Sequence, residues 1–390
     1  MRDLERLSSD GFVVEVREQN LLLHEVPYVT ASREVKRGIL SCSYVENAGT
    51  ILPPDSHQVW WTGEYPCFPN GQPISQIENE NGTRELFPGF FVNYRFSNKP
   101  DGVPAFADHY AKMVHYVTVI QSQARALQDV DARLHRTLVE DSGKSPFAYD
   151  DTASARATIQ ATSARLALSS VALIGLGGTG SYILDQLAKT PVKAIHLFDG
   201  DVFLQHNAFR APGAATREEL AAQAMKVDYF ASKYSHMHRG IVPHAHYLDS
   251  SNLDTLGQPD FAFVCVDNGL ARSLIFERLQ RLGVPFIDVG MTLQLVPKTA
   301  KLFGACRVTL STPERSAHLT KYVPTEVDDD DALYRQNIQV ADMNALNAQL
   351  AVLKWKQYLG FYQDDFEAHN LTFTVSTPSL VRDVTRSEVP

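Results

Sequence analysis

Several short stretches of this sequence gather residue types that could hold and polarise a phosphate. The first is Gly175-Leu176-Gly177-Gly178-Thr179-Gly180-Ser181. Its glycines let the backbone turn tightly and approach an anion, and a helix starting there aims its free N–H groups at that anion. Asp199-Gly200-Asp201 comes next, with Asp199 at a strand end suited to ribose hydroxyls and Asp201 either a phosphate-site group or a turn and capping residue. Then come His206-Asn207-Ala208-Phe209-Arg210, Lys226, and Cys265-Val266-Asp267-Asn268. Glycine loop and aspartate alone are shared with dinucleotide-binding dehydrogenases, so those residues leave an NAD-binding oxidoreductase open. Asn207, Arg210 and Lys226 discriminate, because nucleotidyl transfer must hold negative charge on the α-phosphate and the departing pyrophosphate. A dinucleotide site presents mainly backbone. Asp267, closing a strand, stands where a magnesium ion bridging phosphates would sit.

Positioning these groups requires strands that end together. Val171–Gly175 is apolar without alternation, as in a strand buried on both faces. Helical periodicity over Ser181–Lys189 comes next, then strand Ala194–Phe198, helix Glu218–Lys233 and strands Ile241–Leu248 and Phe261–Val266. Helix Ala271–Leu282, strand Pro285–Val289, a strand pair around Gln294–Leu310 and a helix Ile338–Leu359 capped by Gly360 complete the series. The alternation predicts an α/β fold, a doubly wound, mostly parallel Rossmann-like sheet. Residues 1–140 read as a smaller α+β domain, rich in turn formers, with strands Phe12–Val16, Gln58–Thr62 and Gly89–Phe96 and a helix Ala107–Leu127. Residues 141–152 read as a linker and 153–390 as the nucleotide-binding domain.

The run GLGGTGS, the segment DGDxFxxHNxFR, the Lys226-Val227 pair and the CVDN element together resemble the adenylation domains of the ThiF/MoeB and ubiquitin-activating adenylyltransferases. Asp199 and Arg210 lie 11 residues apart, as in that superfamily's DxDxVxxSNxxR pattern, with His206 in place of the usual serine. The resemblance implies ATP and magnesium as cofactors and a nucleotide site of Gly175, Gly177, Gly178, Gly180, Asp199, Asp201, Asn207, Arg210, Lys226, Asp267 and Asn268. In it Gly178 lies against the nucleotide, Asp199 holds the ribose, and Asn207, Arg210 and Lys226 meet the triphosphate. Arg210, Lys226 and Asp267 carry the catalysis, with Asp267 binding the magnesium. It also implies a homodimer and, as partner, a small ubiquitin-like or sulfur-carrier protein ending in glycine, whose C-terminal carboxylate is adenylated. A conjugating enzyme is a further candidate partner. A small-molecule or tRNA-base carboxylate is the alternative substrate. Arg156 or Arg165 could be the arginine that some relatives insert into the partner subunit's site, or a solvent-facing helix residue.

Two departures bear on any step after adenylation. The paired CxxC motifs that hold structural zinc in many relatives are missing, so no zinc is expected. The segment Ser311–Asn337, where many carry a catalytic cysteine, has none and instead contains the acidic run Asp328–Asp331. Cys67, between Pro66 and Phe68-Pro69-Asn70-Gly71, is the remaining candidate thioester acceptor, since its turn-rich setting suggests exposure. The alternative is a half-buried turn cysteine without chemistry. Cys265 and Cys306 read as strand residues, and Cys265 as a core thiol. The Trp60–Cys67 region faintly resembles a ubiquitin-conjugating fold without its His-Pro-Asn signature. A carrier-recognition domain fits the same residues.

A net charge of -9 speaks against phosphate-backbone binding, so nucleic acid is not an expected partner. No stretch has the roughly 18 uninterrupted apolar residues of a membrane helix. Four scattered cysteines fit a reducing cytoplasm.

Overall fold

The strand entering the glycine run, Ser170–Ile174, lies inside an eight-stranded sheet. The computed structural model describes residues 2–47, 50–134, 139–140, 145–149, 151, 153–154, 157, 159–324 and 338–383. Their contacts divide the chain into one unit of Met1–Lys144 with Asp150–Ala164 and a second of Ser145–Tyr149 with Arg165–Pro390.

In the second unit the strand order is Ile241–His244, Ala194–Phe198, Ser170–Ile174, Phe261–Val264, Phe286–Val296, Lys301–Ser311, Asn370–Thr374 and Ser379–Asp383. The first five are parallel to their neighbours and the last three add antiparallel pairings. The mostly parallel Rossmann-like sheet read from the sequence is therefore present. Both faces are covered, which explains the unalternating apolar strands. Leu173, Leu197 and Phe263 pack with Trp355 on one side, while Ala172, Ile174 and Val264 pack with Ile275 and Phe276 on the other.

Register decides where the chemistry falls. Ile174 is level with Phe198 on one side and with Val264 on the other. The next residues along each strand, Gly175, Asp199 and Cys265, consequently leave the sheet at one edge. Backbone bonds hold them there: Gly175 N–H donates to the Phe198 carbonyl at 2.8 Å and Cys265 N–H to the Ile174 carbonyl at 2.7 Å.

The expected Glu218–Lys233 helix is two helices, Arg217–Ala221 and Lys226–Tyr234. The first is fixed by a capping box, Thr216 Oγ1 accepting from Glu219 N–H at 3.2 Å and Glu219 Oε2 from Thr216 N–H at 2.9 Å. The chain then breaks because Lys226 N–H donates to the Asp201 carbonyl at 2.8 Å. A tertiary bond has overridden a continuous helical pattern. The long helix Ala341–Tyr358 ends as expected, with Gly360 at φ 72°.

The first unit is a seven-stranded sheet in the order Glu78–Phe87, Phe90–Ser97, Gln58–Thr62, Val35–Ser43, Asn20–Val29, Val13–Arg17, Val139–Glu140. Only the Val13–Arg17 and Val139–Glu140 pairing is parallel among the described residues. The helix His109–Arg125, started by Asp108 accepting from Ala111 N–H at 2.7 Å, contributes Met113, Tyr116, Val117 and Ile120 to a core with Trp61, Phe96 and Leu23. Among the described residues, no helix of either unit is long and apolar enough to cross a membrane.

Candidate active site

The glycine loop is shaped by close approaches that a side chain would prevent. Gly175 has φ 92°, and a Cβ there would stand 2.7 Å from the Cys265 carbonyl oxygen. A Cβ on Gly180 would stand 1.9 Å from the Gly175 carbonyl oxygen, so the turn and the helix start could not close on each other. The helix Gly178–Leu187 comes next, with Gly177 at its N-cap and no side-chain cap. Its first N–H groups have no intrahelical acceptor and face the loop, a ready anion site.

Asp199 is buried behind that loop. Its Oδ2 accepts from Leu176 N–H at 2.7 Å and its Oδ1 from Asp201 N–H at 2.8 Å. Burial pushes its pKa up, and Lys226 and those two N–H groups oppose the rise. The buried Lys226 ammonium lies 2.5 Å from Asp201 Oδ2 and 3.7 Å from Asp199 Oδ1. Burial raises the Asp201 pKa too, but its bonds to Lys226 and Tyr247 outweigh that and hold the carboxyl below the usual range. The break between the two helices is thus what delivers Lys226 to both aspartates.

Asn207 is buried and caps its own short helix, its Oδ1 accepting from Leu204 N–H at 2.9 Å. Arg210 is half-buried near Asp201, and its buried Nε has no hydrogen-bond partner among the described residues. An unpaired donor of a cation at this position is what an arriving anion would satisfy. Asp267 is exposed, just past the third level strand end, and Asn268 caps the following helix by accepting from Ala271 N–H at 3.0 Å. Asn268 therefore has a local structural duty as well as its place in the motif.

Tyr247 and a buried triad of Arg272, Arg307 and Asp288 escaped the sequence reading. Tyr247 packs against Gly200, where a Cβ would meet its ring at 2.7 Å, and donates its hydroxyl to Asp201. That bond chiefly pushes the Tyr247 pKa up to about 12. Arg272 and Arg307 close on the fully buried Asp288 at 3.2 and 2.6 Å. Arg272 also donates to the Val266 carbonyl at 2.5 Å, bracing the segment that carries Asp267. A buried triad with no local motif leaves no sequence signal; Tyr247 has none either.

The expected exposure of Cys67 is corrected. It is 3% exposed, because its segment folds back to pair with Val29 and Pro73, and its N–H donates to the Val29 carbonyl at 2.8 Å. Burial first, and Glu64 second, push its thiol pKa up, so it is neither reachable nor activated as it stands. Cys306 is buried, as a strand residue, and Cys265 is partly buried. Arg165 donates to the Gly360 carbonyl within its own unit. Arg156 and the acidic run Asp328–Asp331 lie outside the described residues. Among the described residues, no group of three or more His, Cys, Asp or Glu is assembled to hold a metal ion.

A model of the ThiF family matches residues 149–383, and a model described as a domain of unknown function, DUF6791, matches residues 2–152. No curated protein matches the chain. Among solved structures it is similar to E. coli MccB with MccA-N7isoASN, at 15% identity over 57% of this chain and 66% of that one, TM-score 0.46. For E. coli MccB with ATP the figures are 16%, 58%, 67% and 0.46, and for PaaA 14%, 74%, 94% and 0.46. The chain spans about two thirds of the length of the MccB chains.

Proposed function

The chain belongs to the ThiF family, and from that premise we propose that its second unit binds ATP over Gly175–Gly180 and adenylates a carboxylate. The observation that carries the reading is the common edge: the glycine loop, Asp199 with Lys226, and Asp267 emerge from adjacent parallel strands whose ends are level. Beside them stands Arg210, whose buried Nε has no partner among the described residues. A family of adenylyltransferases and an anion-ready edge point to the same chemistry.

The residues fit a nucleotide. The glycines allow the close backbone approaches that form the loop, the helix start offers N–H groups, and Asp199 is anchored at a strand end to meet a ribose. A carboxylate oxygen attacks the α-phosphorus in line. The new oxygen–phosphorus bond forms as the bond to the bridging oxygen of pyrophosphate breaks, giving an acyl-adenylate and pyrophosphate. A carboxylate is already an adequate nucleophile and no proton moves, so catalysis lies in positioning and charge stabilisation. Arg210 meets the charge on the phosphates. Lys226, pinned by Asp201 and Asp199, supplies a fixed positive charge beneath them. Asp267, with substrate phosphates, matches how magnesium is held by one or two carboxylates, and the ion would supply further neutralisation of phosphate charge.

The substrate in this reading is the C-terminal carboxylate of a small ubiquitin-like or sulfur-carrier protein ending in glycine. Family resemblance supports it, as it supports a homodimer, while the four scattered cysteines fit a reducing cytoplasm. The test is ATP–pyrophosphate exchange, using as probes a carrier protein ending in Gly-Gly and the same protein lacking those two residues. Magnesium-dependent exchange with the first and none with the second is expected, and a fall of about 10²- to 10³-fold in Asp267→Ala. Full exchange in Asp267→Ala removes the magnesium assignment. Exchange supported instead by a small carboxylic acid makes the substrate a small molecule.

A further inference from the structure

A second donor without a partner among the described residues lies against Gly178 of the glycine loop, on the helix Ala341–Tyr358. Asn344 is 1% exposed. Its Oδ1 accepts from Thr179 Oγ1 at 3.1 Å, and its Nδ2 has no partner among the described residues. The amide fills the space that a side chain on Gly178 would need: a Cβ there would be 2.2 Å from Asn344 Nδ2 and 2.3 Å from Cγ. Gly178 is the first residue of a ten-residue helix whose N-cap, Gly177, provides no side-chain cap. An uncapped helix N-terminus and a buried, unused N–H donor therefore meet at one point.

Leaving a buried amide donor without an acceptor is costly, and the cost is recovered when an acceptor arrives with a ligand. Both features select the same ligand chemistry, an oxyanion, since helix N–H groups and an amide N–H all donate. The neighbouring Asn347 shows the contrast. One turn further along, it spends its Nδ2 on the Gly290 carbonyl at 3.2 Å and ties the helix to the sheet. Asn344 makes no such tie through Nδ2.

We propose that Asn344 donates its Nδ2–H to a phosphoryl oxygen of the nucleotide lying over Gly177–Gly178, with Thr179 fixing the amide's orientation through Oδ1. The inference rests on the nucleotide reading of this edge and adds to it a binding residue 165 positions downstream of Thr179. It also gives Gly178 a second reason to be glycine, because any larger residue would displace that amide.

Calorimetric titration of the full chain with ATP and magnesium tests this, with thermal unfolding as the check on folding. Asn344→Ala removes the donor and should weaken ATP binding about 10-fold, the scale of one charge-assisted hydrogen bond. Asn344→Asp keeps the shape but sets a negative charge against the phosphates, and should weaken it further, to about 100-fold. Both variants binding ATP within about twofold of wild type, at an unchanged unfolding midpoint, overturns the role of Asn344 and leaves the nucleotide site intact. Wild type that binds no ATP overturns both. If the variants unfold, a crystal structure of the wild-type chain with a non-hydrolysable ATP analogue decides. Nδ2 within about 3.2 Å of a phosphoryl oxygen supports the contact, and a separation beyond about 4 Å refutes it.

Discussion

The sheet edge of the second unit and the surroundings of Cys67 in the first make an instructive pair. At the edge, polar residues far apart in sequence converge because parallel strands in level register end together, so Gly175, Asp199 and Cys265 leave the sheet side by side. Around Cys67 there is no such convergence. Its segment is rich in proline, asparagine and glycine, yet folds back to pair with Val29 and Pro73 and buries the thiol. A pattern of several residues tied to a strand–loop–helix framework specifies where its members must lie. Turn composition specifies only that the chain bends, and a bend can point a side chain inwards.

The comparison is sharpened most by removing what holds the edge rigid. Asp288→Ala leaves the Arg272 and Arg307 guanidinium groups buried without their counter-ion, and should lower the unfolding free energy of the second unit by about 3–5 kcal/mol. A loss below about 1 kcal/mol in denaturant melts would show that the triad does not brace the Asp267 segment. Next in size, Arg210→Ala should cut ATP–pyrophosphate exchange by about 10²- to 10³-fold with little change in stability. Equal exchange in variant and wild type would remove Arg210 from the charge-stabilising role.

Cys67 provides the contrary case. In the native chain, alkylation of Cys67 followed by peptide mass spectrometry should show protection, lost only in denaturant. Rapid modification of the native chain would restore it as a candidate acceptor. Smallest is a pH effect in the second unit. Burial, helped by Arg315 and His318, lowers the His369 pKa to about 4 from an ordinary 6.5. The folded state thus disfavours the protonated ring. Stability should be fully present above pH 6.5 and fall as pH drops from there towards 4, because the unfolded chain takes up the proton first. His369→Asn should flatten that part of a thermal-midpoint profile; an unchanged slope would assign it to other histidines.

Much of the second unit was legible because its signals are local and repeated. Apolar strands buried on both faces, glycines at a strand end and helical periodicity gave Ala194–Phe198 to the residue and placed its neighbours within a few positions. What stayed hidden was tertiary in origin. The helix break before Lys226 depends on a bond to the Asp201 carbonyl, and the Asp288 triad on residues from separate elements. Glu78–Phe87 was missed as a strand because it is an edge strand, polar and mostly exposed, without an apolar alternation to mark it. Asn344 was invisible for a similar reason: a lone asparagine in a helical pattern gains meaning only when the fold sets it against Gly178.

The most direct test of the nucleotide reading is a titration of the intact protein with ATP plus magnesium and, separately, with NAD. The account predicts saturable binding of ATP, weakened by Arg210→Ala, and no saturable binding of NAD. Binding of NAD with none of ATP would contradict it, and would make the loop at Gly175–Gly180 a dinucleotide site after all.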